Sequence, residues 1–195
     1  MLYNAYEFQR SLMNGASAWA AAASQWWSNP ANPMGYTSGG TIMASALEVF
    51  AHANAPRGKP DFGIKSVEVA GETCPVSESV VRERPFGDLR HFVRDGLPKD
   101  APRLLIVAPM SGHYATLLRG TVERMIDSCN TYVTDWADAK MVPTSAGPFD
   151  LDDYIDYLID FLEFLGPDTH VLAVCQPSVP ALAATAVMAA HDNPA

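Results

Sequence analysis

Beyond residue 100 the chain contains three apolar runs. Each run is followed by a segment with apolar residues at helical spacing. The runs predict strands at residues 104–109, 131–136 and 170–174, and the following segments predict helices at 114–128, 151–165 and 179–190. Strands that alternate with helices in this way form parallel sheets through right-handed crossover connections. The pattern therefore predicts an α/β fold with a mostly parallel sheet and flanking helices.

The helix at 151–165 has the clearest boundaries of the three. Asp150 is a favourable N-cap residue, and Gly166 followed by Pro167 ends the helix. Three acidic residues lie at helical spacing opposite the apolar positions and predict a solvated stripe: Asp152, Asp156 and Asp160.

The first hundred residues have a different pattern. Helices are predicted at 11–27 and 41–53, with a Pro- and Asn-rich break between them and a second break near residues 56–60. Alternating residues at 64–69 and a further segment at 77–83 predict strands of an antiparallel sheet edge. The chain therefore divides into an N-terminal helical region, residues 1–60, and an α/β region, residues 61–195.

The N-terminal helix carries three tryptophans, Trp19, Trp26 and Trp27, among many alanines. Glu7 precedes the apolar part and Arg10 is its only basic residue, which is unlike a secretory signal peptide. Two interpretations stay open for the tryptophans. They pack on the folded core, as aromatic stripes usually do, or they contact an apolar surface outside the protein.

Composition narrows the class of function. Hydrophobic residues make up 48% of the chain, enough for one core, and the net charge of −9 argues against binding nucleic acid or an anionic membrane. No apolar stretch approaches the ~18 residues of a spanning helix. The chain has three cysteines, an odd number without regular spacing, which indicates a reducing compartment rather than a disulfide framework. Cys74 and Cys129 are expected to be structural. No metal-ligand spacing is present, and we expect neither a metal site nor a cofactor.

The segment most informative about chemistry is the strand at 170–174, which leads through Cys175 into a helix that begins near Pro177. A potential nucleophile between a strand and a helix is the layout of the α/β-hydrolase nucleophile elbow. Ala173 and Pro177 replace the two glycines of the usual pattern, and the thiol of Cys175 replaces a serine hydroxyl. The alternative interpretation is a buried cysteine that merely ends a strand.

If Cys175 is a nucleophile, two loops should supply the donors that hold the oxyanion of the reacting ester. The backbone N–H of the next residue, Gln176, is one donor, and the loop after strand 104–109 supplies the other. The candidates in that loop are Met110, Ser111 and Gly112. His113 is either a wall residue or polar cap, or it takes part in the chemistry directly.

Several segments together resemble the intracellular polyhydroxyalkanoate depolymerases. They are the opening Met1-Leu2-Tyr3, the stretch LIVAPMSGHYATLLRGTV at 105–122, Thr134-Asp135-Trp136, Val142-Pro143 and Val174-Cys175-Gln176-Pro177. The resemblance spans the chain. It implies an α/β-hydrolase that cleaves ester bonds of poly(3-hydroxybutyrate) with a cysteine nucleophile, in the cytoplasm, at the surface of storage granules. The polymer granule is then the partner, and assembly into a homo-oligomer stays open.

A triad in this fold runs nucleophile, acid, histidine. After Cys175 the only candidates for the last two roles are His191 and Asp192, near the end of the elbow helix. The sequence therefore predicts the first half of an α/β-hydrolase domain, with its acid and histidine beyond Ala195. The alternatives are a polyhydroxyalkanoate synthase, whose cysteine elbow is followed by glycine, another cysteine-elbow acyl hydrolase, or a granule-binding module without catalysis.

Overall fold

A computed structural model describes residues 2–55, 58–110 and 114–195. The chain divides into two compact units, Met1–Lys59 and Pro60–Ala195. We call them the hairpin unit and the sheet unit. Among the described residues, no helix combines the length and the apolar character that crossing a bilayer requires.

The hairpin unit consists of two helices, α1 (Leu2–Trp27) and α2 (Ser38–Asn54), which pack against each other. Helix α1 begins well before residue 11, where the apolar pattern predicts its start, because residues 2–10 include good helix formers. A short 3₁₀ turn, Pro33–Tyr36, connects the helices. Thr37 caps α2, since its side-chain oxygen accepts a hydrogen bond of 3.1 Å from the backbone N–H of Gly40.

The sheet unit contains six strands in the order β1-β2-β3-β5-β4-β6. Their bounds are β1 Ser66–Val69, β2 Glu72–Arg82, β3 Gly87–Arg94, β4 Arg103–Val107, β5 Asn130–Trp136 and β6 Thr169–Ala173. The pairs β1–β2, β2–β3 and β3–β5 are antiparallel, whereas β5–β4 and β4–β6 are parallel.

The prediction of a mostly parallel sheet is therefore wrong, although the mixed α/β class is confirmed. The main reason is β3, which the sequence pattern does not reveal. Its residues Arg90 and His91 interrupt the apolar alternation, and the structure accommodates both through polar partners on neighbouring strands. Because β3 joins β2 to β5 with antiparallel pairing on both sides, it makes most of the sheet antiparallel.

The connections between the parallel strands are helical, as expected. A 3₁₀ turn, Ala115–Leu118, and the short helix α3 (Arg119–Met125) lead from β4 to β5. Helix α4 (Leu151–Leu165) leads from β5 to β6, and α5 (Ser178–Ala190) follows β6 and packs against α4. Asp150 forms the predicted N-cap of α4, accepting hydrogen bonds from the N–H groups of Asp152 (2.9 Å) and Asp153 (3.3 Å).

The core of the sheet unit lies on the central strands and under α4. Its largest fully buried side chains include Phe92 on β3, Leu105 and Ile106 on β4, and Phe161 on α4. Phe92 makes an edge contact with Phe62, with ring centroids 4.9 Å apart. Burial of both faces explains why β4 is a continuous apolar run. The core therefore holds β4 rigidly in the middle of the parallel part of the sheet.

Candidate functional site

The chain changes direction around β4. From β4 it crosses to β5 on one side, and from β5 it passes to β6 on the other side of β4. In open sheets of parallel strands and helices, such a topological switch point leaves a crevice outside the carboxyl ends of the strands, where ligands bind. Residues that directly follow β4 and β6 therefore line the candidate site, and Met110 and Cys175 are among them.

Cys175 occupies a sharp turn between β6 and α5. Its φ of 68° lies in the left-handed region, which residues with a side chain adopt rarely and at a cost of about 1–3 kcal/mol. The thiol is exposed. The alternative of a buried cysteine at a strand end thus does not describe Cys175.

Hydrogen bonds hold this turn from both sides. The backbone N–H of Ser178 donates to the carbonyl of Cys175 (3.1 Å), and the Ser178 hydroxyl donates to the carbonyl of Ala173 (3.1 Å). Pro177 is buried at the N-cap position of α5 with a φ of −68°, the value that its ring enforces. The strained backbone at Cys175 is therefore fixed by its neighbours, which is the condition under which such strain persists.

The end of β4 is held equally firmly. The carbonyl of Ala108 accepts hydrogen bonds from the indole N–H of Trp136 (2.8 Å) and the hydroxyl of Tyr154 (3.3 Å). The N–H of Ala108 donates to the hydroxyl of Thr134 (2.9 Å). Burial raises the pKa of Tyr154 well above its usual value, so this hydroxyl keeps its proton and remains a donor. These hydrogen bonds hold the backbone of Ala108 in place, directly before the loop that follows β4.

One hydrogen bond joins the two loops of the crevice. The backbone N–H of Met110 donates to the side-chain oxygen Oε1 of Gln176, with 3.0 Å between nitrogen and oxygen. The Gln176 side chain thus occupies the position that an oxyanion held by Met110 would take. The backbone N–H of Gln176 makes no hydrogen bond among the described residues. An ester oxygen that uses the Met110 N–H as a donor has to displace the Gln176 side chain.

A cavity of about 330 Å³ opens beside the thiol. Its walls are almost entirely apolar and come from β4, the 3₁₀ turn and α3, and the end of β6. They include Ile106, Pro109, Leu117, Leu118, Leu172, Val174 and Cys175 itself. A pocket of this size and character suits a short aliphatic acyl group rather than a charged ligand.

The described residues include no base in contact with Cys175. No hydrogen bond to its Sγ atom is found among them, and His191 lies at the opposite end of α5, about 20 Å away at the rise of an α-helix. Three predicted site residues, Ser111, Gly112 and His113, lie outside the described residues. Among the described part of the chain, no group of three metal-ligating side chains is close enough to hold a metal ion.

Two of the supporting residues escape the sequence analysis. Tyr154 lies 46 positions along the chain from Ala108, whose carbonyl it binds, so no local motif marks it. Ser178 lies only five residues after Ala173, and its contacts belong to the local turn at Cys175. The order of a strand, Cys175, Gln176 and Pro177 is the signal that identifies the turn itself. Comparison of the chain with protein-family models, with curated proteins and with solved structures gave no match.

Proposed function

We propose that this chain carries the nucleophile-bearing part of an α/β-hydrolase that cleaves aliphatic polyesters, resembling the intracellular polyhydroxyalkanoate depolymerases. The observation that carries the proposal is the exposed thiol of Cys175, held at a left-handed turn between a strand and a helix. This is the geometry that lifts a nucleophile clear of the sheet edge. The strand order around β4 and the crossover helices support the finer assignment of the fold.

The cavity supports the choice of substrate. Its apolar walls suit the methyl-bearing backbone of a 3-hydroxybutyrate unit, which is uncharged within the polymer. The chain's net charge of −9 does not repel such a substrate, whereas a phosphorylated or acidic one would be repelled. The proposed reaction is therefore hydrolysis of an ester between short hydroxyacyl units.

The chemistry follows from the two loops of the crevice. The Cys175 thiol gives its proton to a base, and the thiolate attacks the ester carbonyl carbon. The N–H of Gln176, together with that of Met110 once the Gln176 side chain moves aside, stabilises the negative oxygen. The carbon–oxygen bond to the alcohol then breaks, the alcohol leaves with a proton, and a thioester remains. Water cleaves the thioester, which releases the hydroxy acid and restores the thiol.

An acylation experiment tests the nucleophile without depending on a complete triad. The chain is incubated with p-nitrophenyl 3-hydroxybutyrate, whose leaving group departs without help from an acid. We expect release of nitrophenol and a hydroxybutyryl group on the peptide that contains Cys175, detected by mass spectrometry. Cys175→Ala should abolish both, because no other exposed cysteine is found among the described residues.

The matched controls are Cys74→Ala and Cys129→Ala, which remove half-buried thiols and should leave acylation unchanged. Equal labelling of all three cysteines would show that Cys175 is not specially placed and would contradict the proposal. Acylation that persists in Cys175→Ala would contradict it too.

A further inference from the structure

The two backbone donors of the proposed oxyanion site are in different states. The N–H of Gln176 makes no hydrogen bond among the described residues, so it is open to a ligand. The N–H of Met110 is closed, because it donates to the side-chain oxygen Oε1 of Gln176 at 3.0 Å. One residue therefore supplies an open donor with its backbone and closes the other donor with its side chain.

The backbone on each side of this contact is held by its own neighbours. The N–H of Ala108, two residues before Met110, donates to the hydroxyl of Thr134 at 2.9 Å. On the other side, the N–H of Val179 donates to the carbonyl of Gln176 at 3.4 Å. The two N–H donors are thus anchored independently of the contact between Met110 and the Gln176 side chain.

The Gln176 side chain, by contrast, is free to leave. The residue is exposed, and the bond from Met110 is the only hydrogen bond of its side chain among the described residues. The apolar cavity beside the thiol is lined by other residues, so packing in the cavity does not hold Gln176. The side chain can therefore swing into water at the cost of a single exposed hydrogen bond.

The strength of that bond limits the size of its effect. A neutral hydrogen bond in a protein shifts an equilibrium by about two- to tenfold relative to the same groups bonded to water. The closed arrangement is therefore favoured over an open one when no substrate is bound, but only by a small factor. A side chain held in this way can be displaced within a catalytic cycle.

The chemistry of the acceptor indicates what displaces it. The Oε1 atom of Gln176 is a neutral carbonyl oxygen, as is the carbonyl oxygen of an ester, so a bound ester gains little by replacing it at the Met110 N–H. An oxyanion gains more, because hydrogen bonds to charged acceptors are roughly twice as strong as neutral ones. The side chain therefore yields to the transition state rather than to the substrate.

We propose that the Gln176 side chain is a latch on the oxyanion site, which closes the Met110 donor in the resting chain and opens it as the ester carbonyl becomes an oxyanion. The latch rests on the proposed function, because it acts where the Cys175 thiolate attacks. Gln176 then has two separable roles, a gate through its side chain and a donor through its backbone. Substitution of the side chain removes the gate and keeps the N–H.

The rate of acylation by p-nitrophenyl 3-hydroxybutyrate, measured over a range of concentrations, tests the gate. In Gln176→Ala we expect the maximal rate to rise by about two- to tenfold, because the oxyanion no longer has to displace the side chain. The concentration at half-saturation should change by less than about twofold, since Gln176 does not line the cavity that holds the acyl group. Gln176→Met keeps the length of the side chain but lacks the amide oxygen, and it should be accelerated to a similar extent.

The matched control is Val179→Ala. Val179 is exposed in the first turn of α5, three residues after Gln176, and the substitution keeps its backbone N–H. We expect the maximal rate and the half-saturation concentration of this variant to equal those of the parent protein.

Amide hydrogen exchange, followed by NMR in Cys175→Ala protein, tests the contact without any reaction. The Met110 N–H should exchange about two- to tenfold faster when Gln176→Ala or Gln176→Met is added, because its acceptor is lost. The Ala108 N–H is the internal reference. It donates to Thr134, so its exchange should not change.

A slower maximal rate in both Gln176 variants would overturn the inference, because the side chain would then assist the substrate or hold the loop. Unchanged exchange of the Met110 N–H would overturn it, as would faster exchange with an unchanged maximal rate. Acceleration in Gln176→Ala that Gln176→Met lacks would assign the effect to side-chain volume and also overturn it. Absence of acylation in the parent protein and in every variant would contradict the proposed function, while exchange of the Met110 N–H would still decide whether Gln176 closes that donor.

Discussion

The two units of the chain bury different kinds of side chain. The sheet unit buries large side chains such as Phe92, Leu105 and Phe161 completely. The hairpin unit buries alanine, serine and glycine, and leaves residues such as Trp19 exposed. At roughly 25 cal/mol per Å² of apolar surface removed from water, most of the hydrophobic stabilisation belongs to the sheet unit. The hairpin depends on helix propensity and close backbone contact instead.

Charge separates the units as well. Almost all of the 35 charged residues lie outside the hairpin, and several hold the sheet together. Arg90 on β3 donates hydrogen bonds to Asp135 on β5 and, at 2.7 Å, to Glu78 on β2. Arg82 and Arg84 both contact Asp160 on α4. The sheet unit therefore carries most of the charge and uses it in ion pairs between its elements, whereas the hairpin contains only three charged residues among positions 2–55.

The largest expected effect compares one substitution in the two units. Phe92→Ala removes a fully buried ring and should lower the free energy of unfolding of the sheet unit by about 3–5 kcal/mol. Phe8→Ala removes an exposed ring and should change stability by less than about 0.5 kcal/mol. Urea unfolding curves of the parent protein and of each variant, recorded by near-UV and far-UV circular dichroism, measure both changes.

If Phe92→Ala does not fold, Phe92→Leu gives a smaller loss at the same position and preserves the comparison. A loss for Phe8→Ala as large as that for the Phe92 variant would mean that Phe8 belongs to a packed core.

A second, smaller effect tests the close contact within the hairpin. A Cβ atom on Gly40 would lie 2.1 Å from the carbonyl oxygen of Met34, so Gly40→Ala forces the backbone to move. We expect a loss of about 1–3 kcal/mol, measured by thermal unfolding of the helices. The neighbouring Gly39 has open space at its Cβ position, so Gly39→Ala should be neutral or stabilise by up to about 1 kcal/mol. Similar losses for both variants would contradict a tight turn at Gly40.

Local patterns predicted the elements that depend on local physics. The buried strand β4 follows from its unbroken apolar run, and α4 follows from its period, Asp150 and Gly166. Strand β3 was missed because its polar residues are tolerated only through partners that lie far along the chain, such as Asp135 for Arg90. Pairing partners of this kind do not appear in a local pattern.

The candidate site likewise has features that depend on adjacent residues and features that depend on residues far apart in the chain. The order of strand, cysteine and proline indicated the turn at Cys175, because the turn depends on adjacent residues. The hydrogen bond from Met110 to Gln176 spans 66 positions, and the contact of Tyr154 with Ala108 spans 46, so the sequence alone could not indicate either. Asp160 was expected to be solvated, yet it pairs with two arginines of β2 and the residues that follow it.

That ion pair gives the smallest expected effect and a second contrast between the units, in their response to pH. Partial burial raises the pKa of Asp160, but the hydrogen bonds and charges of Arg82 and Arg84 outweigh it, so the pKa lies below its usual value. A carboxyl whose pKa is lowered by folding stabilises the protein above its unfolded value, about 3.9, and this contribution is lost as the pH falls through the folded value. Asp160→Asn should therefore cost up to about 1 kcal/mol at pH 7, and the difference from the parent protein should shrink steadily below about pH 5.

Asp156→Asn, an exposed position one turn earlier in α4, is the control and should show no such trend. Urea midpoints of the sheet unit at several pH values measure the effect. Residues 2–55 of the hairpin unit contain a single arginine, Arg10, so they cannot hold a carboxylate between two guanidinium groups of their own. A difference between Asp160→Asn and the parent protein that grew toward low pH would contradict the assigned direction of the shift.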